Sequence, residues 1–498
     1  MSDTVKTAAI VPTSSVAVIK PHPDSHGQVV KLSAIDQIAP RDYMSICLFF
    51  RLGPDADKRQ IFSVLQETLL RIVSDMPELA CCVQKHTNNN REEVELVFDS
   101  SKGVEIHYKD HTSPELCGLW NFGTFDQLEQ EHFPLNKMPR HIVFGTSAKL
   151  EDNVKLPSLI VQLNFIPGGL ILGSCLHHVA GDGQCNFMLY STIGAHFSAV
   201  ADGLDSKPTS KIHLLERSGV VEGDQSVTLE EFPHWKLAED TTEFLNPTVY
   251  RASEIPTFEY ATYFISAEKL ALLKSRISNN VPETKLGTVE TLGAFIWRHI
   301  IVARNINPRR YPEAKLSITI DARGRMKNPN VPSNYWGNFA EPNAVARLPV
   351  ASLQGASSST KHLTSTIYPE AARRIKKAIA AVDDKAVRRL VGLLNQMPKS
   401  TTLTWNVNRY PGPDMLLVCI QGHAYNDIYF GHELGCPSAL RCTVGDTEGK
   451  PDGRCLILPP RRGDGKGLEV ALQYDNSTLK RLENNIEFGE FFYQWMVI

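Results

Sequence analysis

The chain has 498 residues, 42% of them hydrophobic and 21% charged, enough apolar material for two or three units of about 150 residues each. Its formal net charge of −3 supplies no overall positive field, so the counterion-release affinity of a nucleic-acid binder has no source and no nucleic-acid partner is expected. Ten cysteines without a Cys-x-x-Cys pair argue against a disulfide framework and against a structural zinc site, and for a reducing compartment.

The opening MSDTVKTAAIVPTSS lacks the basic start and apolar core of a signal peptide, and a cytoplasmic protein is expected. ICLFFRL (Ile46 to Leu52) reads as a buried strand. Phe62, Leu65, Leu69 and Ile72 follow at helical spacing until Met76-Pro77 ends the pattern. Leu156 to Leu176 carries no charge and is long enough to suggest a membrane span. Gln162, Asn164 and the turn Pro167-Gly168-Gly169 divide it instead into two buried strands. The second strand runs out at two histidines, and Gln184 to Val200 reads as a buried helix. HHVAGDG (His177 to Gly183) therefore occupies a strand-to-helix loop.

From about Ala201 to Tyr250 the chain turns polar, with Pro208, the cluster Leu215-Glu216-Arg217-Ser218 and the pair Glu230-Glu231, and it reads as a linker. FEYATYFI (Phe258 to Ile265) alternates like a strand. Ser266 is placed to cap a helix carrying Leu270, Leu273 and Ile277. A further helix bears Leu292, Ile296 and Ala303, KLSITID (Lys315 to Asp321) reads as a strand, and Ala371 to Val382 reads as a helix. The expected division is residues 1–200, a linker over 201–250, and residues 251–498. Strands and helices interleave in both halves, which predicts a mixed α/β architecture.

A histidine that titrates near neutrality can take the proton of an alcohol as it attacks a carbonyl, provided its ring is held in one tautomer. Among 16 histidines about one His-x-x-x-Asp pair is expected by chance, and His423-Ala-Tyr-Asn-Asp427 has the same spacing as His178 and Asp182. Context favours His178, because an apolar strand delivers it and Gly181 and Gly183 permit a tight backbone and the close approach of a ligand. A structural role for His178 stays open on these grounds. Asp182 reads as the N-cap of the following helix or a buried ion-pair member rather than a proton carrier, and His177 as core.

HHVAGDG resembles the HHxxxDG signature of the BAHD acyltransferases. LSAIDQIAPRDY (Leu32 to Tyr43), MPELA (Met76 to Ala80), TVETLGAFIWR (Thr288 to Arg298), IDARGR (Ile320 to Arg325) and NYWGN (Asn334 to Asn338) resemble further family segments in the family's order. YFGHELGCP (Tyr429 to Pro437) is similar to the corresponding segment of fungal members, although Tyr429 replaces the family's Asp and Cys419-Ile420 stand where Ser-Trp is common.

The resemblance implies two chloramphenicol-acetyltransferase-like domains with the active-site channel between them. It implies an acyltransferase that moves an acyl group, acetyl above others, from acyl-CoA to a hydroxyl of a secondary metabolite, as a monomer with no permanently bound cofactor and no metal. His178 is then the base, Asp182 a structural partner of Arg323, and Gly183 part of the same loop. Trp336 and Asn338 become candidates for the channel that positions the thioester, each with a turn or core reading beside it. Thr288 and Trp297 read as helix capping and core packing. Arg461, Arg462 and Lys466 are available to CoA phosphates, but such a cluster is more often a solvated hairpin and no role is assigned to it. The rival readings are a condensation-domain-like enzyme that takes its acyl group from a carrier protein, and a non-catalytic, metabolite-binding member of the family.

Overall fold

A computed structural model of the chain describes residues 14–88, 91–134, 137, 139–146, 154–204, 212, 216–237, 258–279, 285–327, 330–355, 366–397, 403–444, 453–463 and 467–496. In the first half the elements that build the main sheet and the site are strand β1 (Ser14–Ile19), the short helix α1 (Ala34–Gln37), β2 (Tyr43–Arg51), helix α2 (Lys58–Asp75), β3 (Val104–Asp110), β4 (Leu159–Ile166), β5 (Gly169–His177) and helix α3 (Gly183–Ala201). The second half supplies β6 (Phe258–Ile265), α4 (Ala267–Ser278), α5 (Thr288–Ala303), β7 (Glu313–Asp321), β8 (Ala340–Pro349), α6 (Ile367–Ala381), α7 (Asp384–Gln396), β9 (Met415–Cys419), β10 (Ala439–Val444), β11 (Arg454–Ile457), β12 (Leu468–Asp475) and β13 (Tyr493–Met496).

Local signals decide most of these elements. Asp57 accepts the backbone N–H groups of Arg59 and Gln60 to start α2, whose Phe62, Leu65, Leu69 and Ile72 form a buried stripe. Pro77 follows its end. The uncharged stretch before the histidines is the hairpin β4–β5, buried on both faces, with Gly168 at φ 79° in its turn. Ser266 caps α4 as expected, its Oγ accepting from Lys269 N at 3.1 Å. For α5 the cap is Gly287, whose N–H donates to the Glu290 carboxylate, so Thr288 is the first helical residue and not the cap. Trp297 is fully buried in the second core.

Two mixed sheets organise the molecule. The first has strand order β1-β3-β4-β5-β2-β10 and the second β8-β7-β9-β11-β12-β6-β13. Each sheet has its own apolar core. The first sheet is completed from the far half of the chain, because β10 pairs antiparallel with β2, Ala439 opposite Phe49 and Val444 opposite Met44. β10 therefore belongs to the first sheet although its sequence lies within 251–498. Within 201–250, Arg217, Val220, Val221 and Trp235 are buried, Val220 and Val221 in the second core and Trp235 in a third, smaller one, so the described part of this span packs against the fold; residues 205–211, 213–215 and 238–257 fall outside the described set. Among the described residues no helix is long and apolar enough to cross a membrane.

Candidate active site

His178 follows the last residue of β5, where strand pairing has just ended at His177 opposite Tyr43. Its backbone N–H donates to Asp42 O at 2.9 Å, so the strand neighbouring β5 also fixes the loop. The His178 side chain is half-buried and His177 fully buried. Burial drives the His177 pKa down to about 3, which keeps that ring neutral, and its Nδ1 accepts from Val179 N. The neighbouring histidines thus alternate, one into the core and one toward the junction of the lobes.

Asp182 unites both structural readings. Its Oδ1 accepts from Cys185 N at 3.1 Å as the N-cap of α3, and its Oδ2 accepts from Phe339 N at 2.9 Å. Arg323, in the turn after β7, meets the same carboxylate with two nitrogens, Nη1 to Oδ2 at 2.9 Å and Nη2 to Oδ1 at 3.0 Å. Both side chains are at most 1% exposed. Arg323 also donates to Tyr335 O, Gly337 O and Asp321 Oδ1. Burial alone would raise the Asp182 pKa, but Arg323 and the backbone donors hold it below the ordinary carboxylate range. These bonds occupy both oxygens of the carboxylate. A Cβ at Gly183 meets nothing within 4 Å, whereas one at Gly181 would come to 2.7 Å from Cys185 Cβ; the first glycine faces open space and the second serves packing.

Asn338 lies directly against the histidine. His178 Nδ1 is 3.1 Å from Asn338 Oδ1, and Asn338 Nδ2 donates to His178 O at 2.8 Å and to Asp36 Oδ1 at 3.0 Å. With its amide nitrogen turned to a carboxylate and a carbonyl, Asn338 presents its oxygen to the ring, an arrangement that favours the proton on Nδ1. Asn338, a channel candidate in the sequence, is thus the partner of the ring. Trp336, the other channel candidate, is 1% exposed and packs in the core of the first lobe beside Gly181.

Two further residues enter the site without a signal in composition or spacing. Asp36, in the LSAID segment, closes a capping box by accepting from Ser33 N and Oγ, and it also accepts from Asn338 N at 2.7 Å. Arg217, from the span read as a linker, is buried and donates to Glu78 Oε2 at 2.7 Å and to Ala180 O at 3.1 Å, with Nη1 3.6 Å from Asp36 Oδ1. The pairing of Asp36 and Glu78 with one cation is a tertiary fact that local pattern does not carry.

His423, the chance-level counterpart of His178, lies flat on Phe187 of α3 with ring centroids 4.9 Å apart, and burial lowers its pKa. Tyr429 is 51% exposed, and its carbonyl accepts from Ser198 Oγ. Arg461 faces Glu469 at 4.0 Å and the Phe133 ring, so it is engaged within the fold; Arg462 is exposed, and Lys466 lies outside the described residues. Among the described residues no group of three or more His, Cys, Asp or Glu side chains is arranged to hold a metal ion.

Two sheet-centred lobes, with the HHVAGDG loop delivered to their junction at the end of a buried hairpin, form the two-domain chloramphenicol-acetyltransferase-like fold. The chain belongs to the Transferase family, the BAHD acyltransferases, whose sequence pattern matches residues 114–489. It is 27% identical to "Acyltransferase easC" of Emericella nidulans over 93% of this chain and 95% of that one. It is 24% identical to "Eremophilane O-acetyltransferase ORF8" of Penicillium roqueforti over 93% and 98% of the two chains. Its fold superposes with a TM-score of 0.75 on the crystal structure of F. graminearum TRI101 complexed with coenzyme A and T-2 mycotoxin, covering 94% of this chain and 100% of that one at 18% identity.

Proposed function

We propose that the chain transfers an acyl group, acetyl above others, from acyl-CoA to a hydroxyl of a small secondary metabolite, with His178 as general base. The observation that carries this reading is the His178–Asn338 bond, since a ring that donates from Nδ1 presents Nε2 as the acceptor of a proton. The family supports acyl transfer, the eremophilane O-acetyltransferase similarity supports a hydroxyl acceptor and acetyl, and the coenzyme A in the fold neighbour supports the donor.

In this mechanism Nε2 removes the acceptor's O–H proton as the oxygen bonds to the thioester carbonyl carbon. The tetrahedral oxyanion then collapses, the carbon–sulfur bond breaks, and the CoA thiolate leaves and takes the proton from the His178 imidazolium. The ester and free CoA are the products, and no acyl-enzyme is formed. Asn338 positions the ring, while Asp182 and Arg323 hold the loop.

The test is to incubate the purified chain with acetyl-CoA and a panel of hydroxylated terpenoids, alkaloids and polyketides. Acceptor-dependent release of CoA thiol is to be followed with detection of the acetyl ester by mass spectrometry. Turnover with free acetyl-CoA is expected. Transfer from a carrier-bound thioester alone would overturn the donor assignment.

A further inference from the structure

The His178 ring takes its tautomer from Asn338, and the orientation of Asn338 has to come from somewhere. An amide of this kind can turn over, exchanging Oδ1 and Nδ2, and the hydrogen-bond partners decide between the two states. In the observed state Nδ2 donates to Asp36 Oδ1 and His178 O, and Oδ1 faces His178 Nδ1. In the turned state the amide oxygen would face a carboxylate and a carbonyl, and the NH2 group would face Nδ1. Nδ1 would then have to accept, the proton would move to Nε2, and the ring would lose its capacity to act as a base.

We propose that Asp36 and Arg217 are positioning residues for the transfer, a buried carboxylate and a buried guanidinium that hold Asn338 in the orientation that leaves Nε2 of His178 free. The inference rests on His178 being the base. Asp36 suits the role because it is an acceptor on every side: one oxygen takes Asn338 N and Nδ2, the other takes Ser33 N and Oγ. A neutral amide at position 36 would have to turn a donor toward one of these two pairs of donors. Arg217 supplies the compensating charge, 3.6 Å from the carboxylate, and binds the carbonyl of Ala180 two residues beyond His178. It thereby ties the same carboxylate and the same loop to the span between the lobes. Asp36, Arg217 and Asn338 come from three distant stretches of chain; Asp36 meets both of the others, and Asn338 carries the contact to the ring.

The experiment uses the full chain labelled with 15N-histidine, with the His178 signals found by difference from His178→Ala. Asp36→Ala and Asp36→Asn are compared with the wild type for kcat, for KM toward acetyl-CoA and for the nitrogen shifts of His178. The wild type is expected as the Nδ1–H tautomer. Asp36→Ala should lower kcat by roughly ten- to a hundred-fold, the range found for outer partners that orient metal-ligating histidines, with KM for acetyl-CoA changed by less than about three-fold and a visible Nε2–H population. Asp36→Asn, which keeps one oxygen, should fall between the two in both kcat and tautomer. If Asp36→Ala does not fold, Asp36→Asn against the wild type decides. Variants that keep the wild-type kcat and spectrum, or that lose kcat while the His178 spectrum stays unchanged, overturn the proposal. A fully active His178→Ala enzyme would instead overturn the base, and the nitrogen spectra would still report whether Asp36 sets the tautomer.

Discussion

Two buried ionic clusters flank the HHVAGDG loop, Asp182 with Arg323 on one side and Asp36 and Glu78 with Arg217 on the other, and they lead to different places. In the first, the carboxylate caps α3, accepts from Phe339 N and is gripped by two guanidinium nitrogens, so its bonds end within the scaffold. In the second, Asp36 passes its preference on through Asn338 to the His178 ring. Both clusters cross from one stretch of chain to another, yet one sets where the loop is and the other sets what state its histidine is in. A buried charge close to a reacting group is therefore not a catalytic partner by proximity, and its remaining hydrogen bonds decide which role it has.

The comparison breaks most visibly at the first cluster. Removing one partner of a buried pair leaves the other uncompensated, which costs about 3–5 kcal/mol. Asp182→Ala and Arg323→Ala should each lose stability of that order in equilibrium denaturant unfolding, with activity falling as the folded fraction falls. If either retained wild-type stability, the loop-anchor role would fail. The Asp36 variants sharpen the contrast, because there kcat should change in protein that remains folded.

A smaller effect separates the two adjacent histidines. The His177 pKa lies at about 3 in the folded chain, below its unfolded value near 6.5, because burial penalises the charged ring. The unfolded chain therefore binds a proton that the folded chain does not, and stability falls as pH drops from about 6.5 toward 3, by at most ~1.4 kcal/mol per pH unit. His177→Gln should flatten the dependence of unfolding free energy on pH between 6 and 4, measured by denaturant titration. An identical slope in the two proteins would show that His177 is not held neutral.

Much of the scaffold was legible because its causes are local. The helical stripe Phe62, Leu65, Leu69, Ile72, the Pro-Gly turn that divides an uncharged stretch into a hairpin, and Ser266 as a cap each act within a few residues, and each is found where expected. The partnership of Asp182 with Arg323 came from family resemblance, since nothing in the spacing of residues 141 apart predicts it. What stayed hidden was set by tertiary contact. β10 pairs with a strand about 390 residues earlier in the chain, Ala439 opposite Phe49, a pairing that no periodicity records. Arg217 sits in polar sequence that reads as a linker, but two carboxylates and a carbonyl make its burial tolerable. Trp336 and Asn338 belong to one short motif, yet the first packs into the core of the opposite lobe and the second meets the ring.

The central claim is that His178 removes the proton of the acceptor, and the direct measurement is kcat/KM of purified, folded His178→Ala with acetyl-CoA and an acceptor that the wild type turns over. Loss of a general base should lower the rate by roughly 10²–10⁴ while the unfolding midpoint stays close to that of the wild type. A folded His178→Ala protein with wild-type kcat/KM would contradict it.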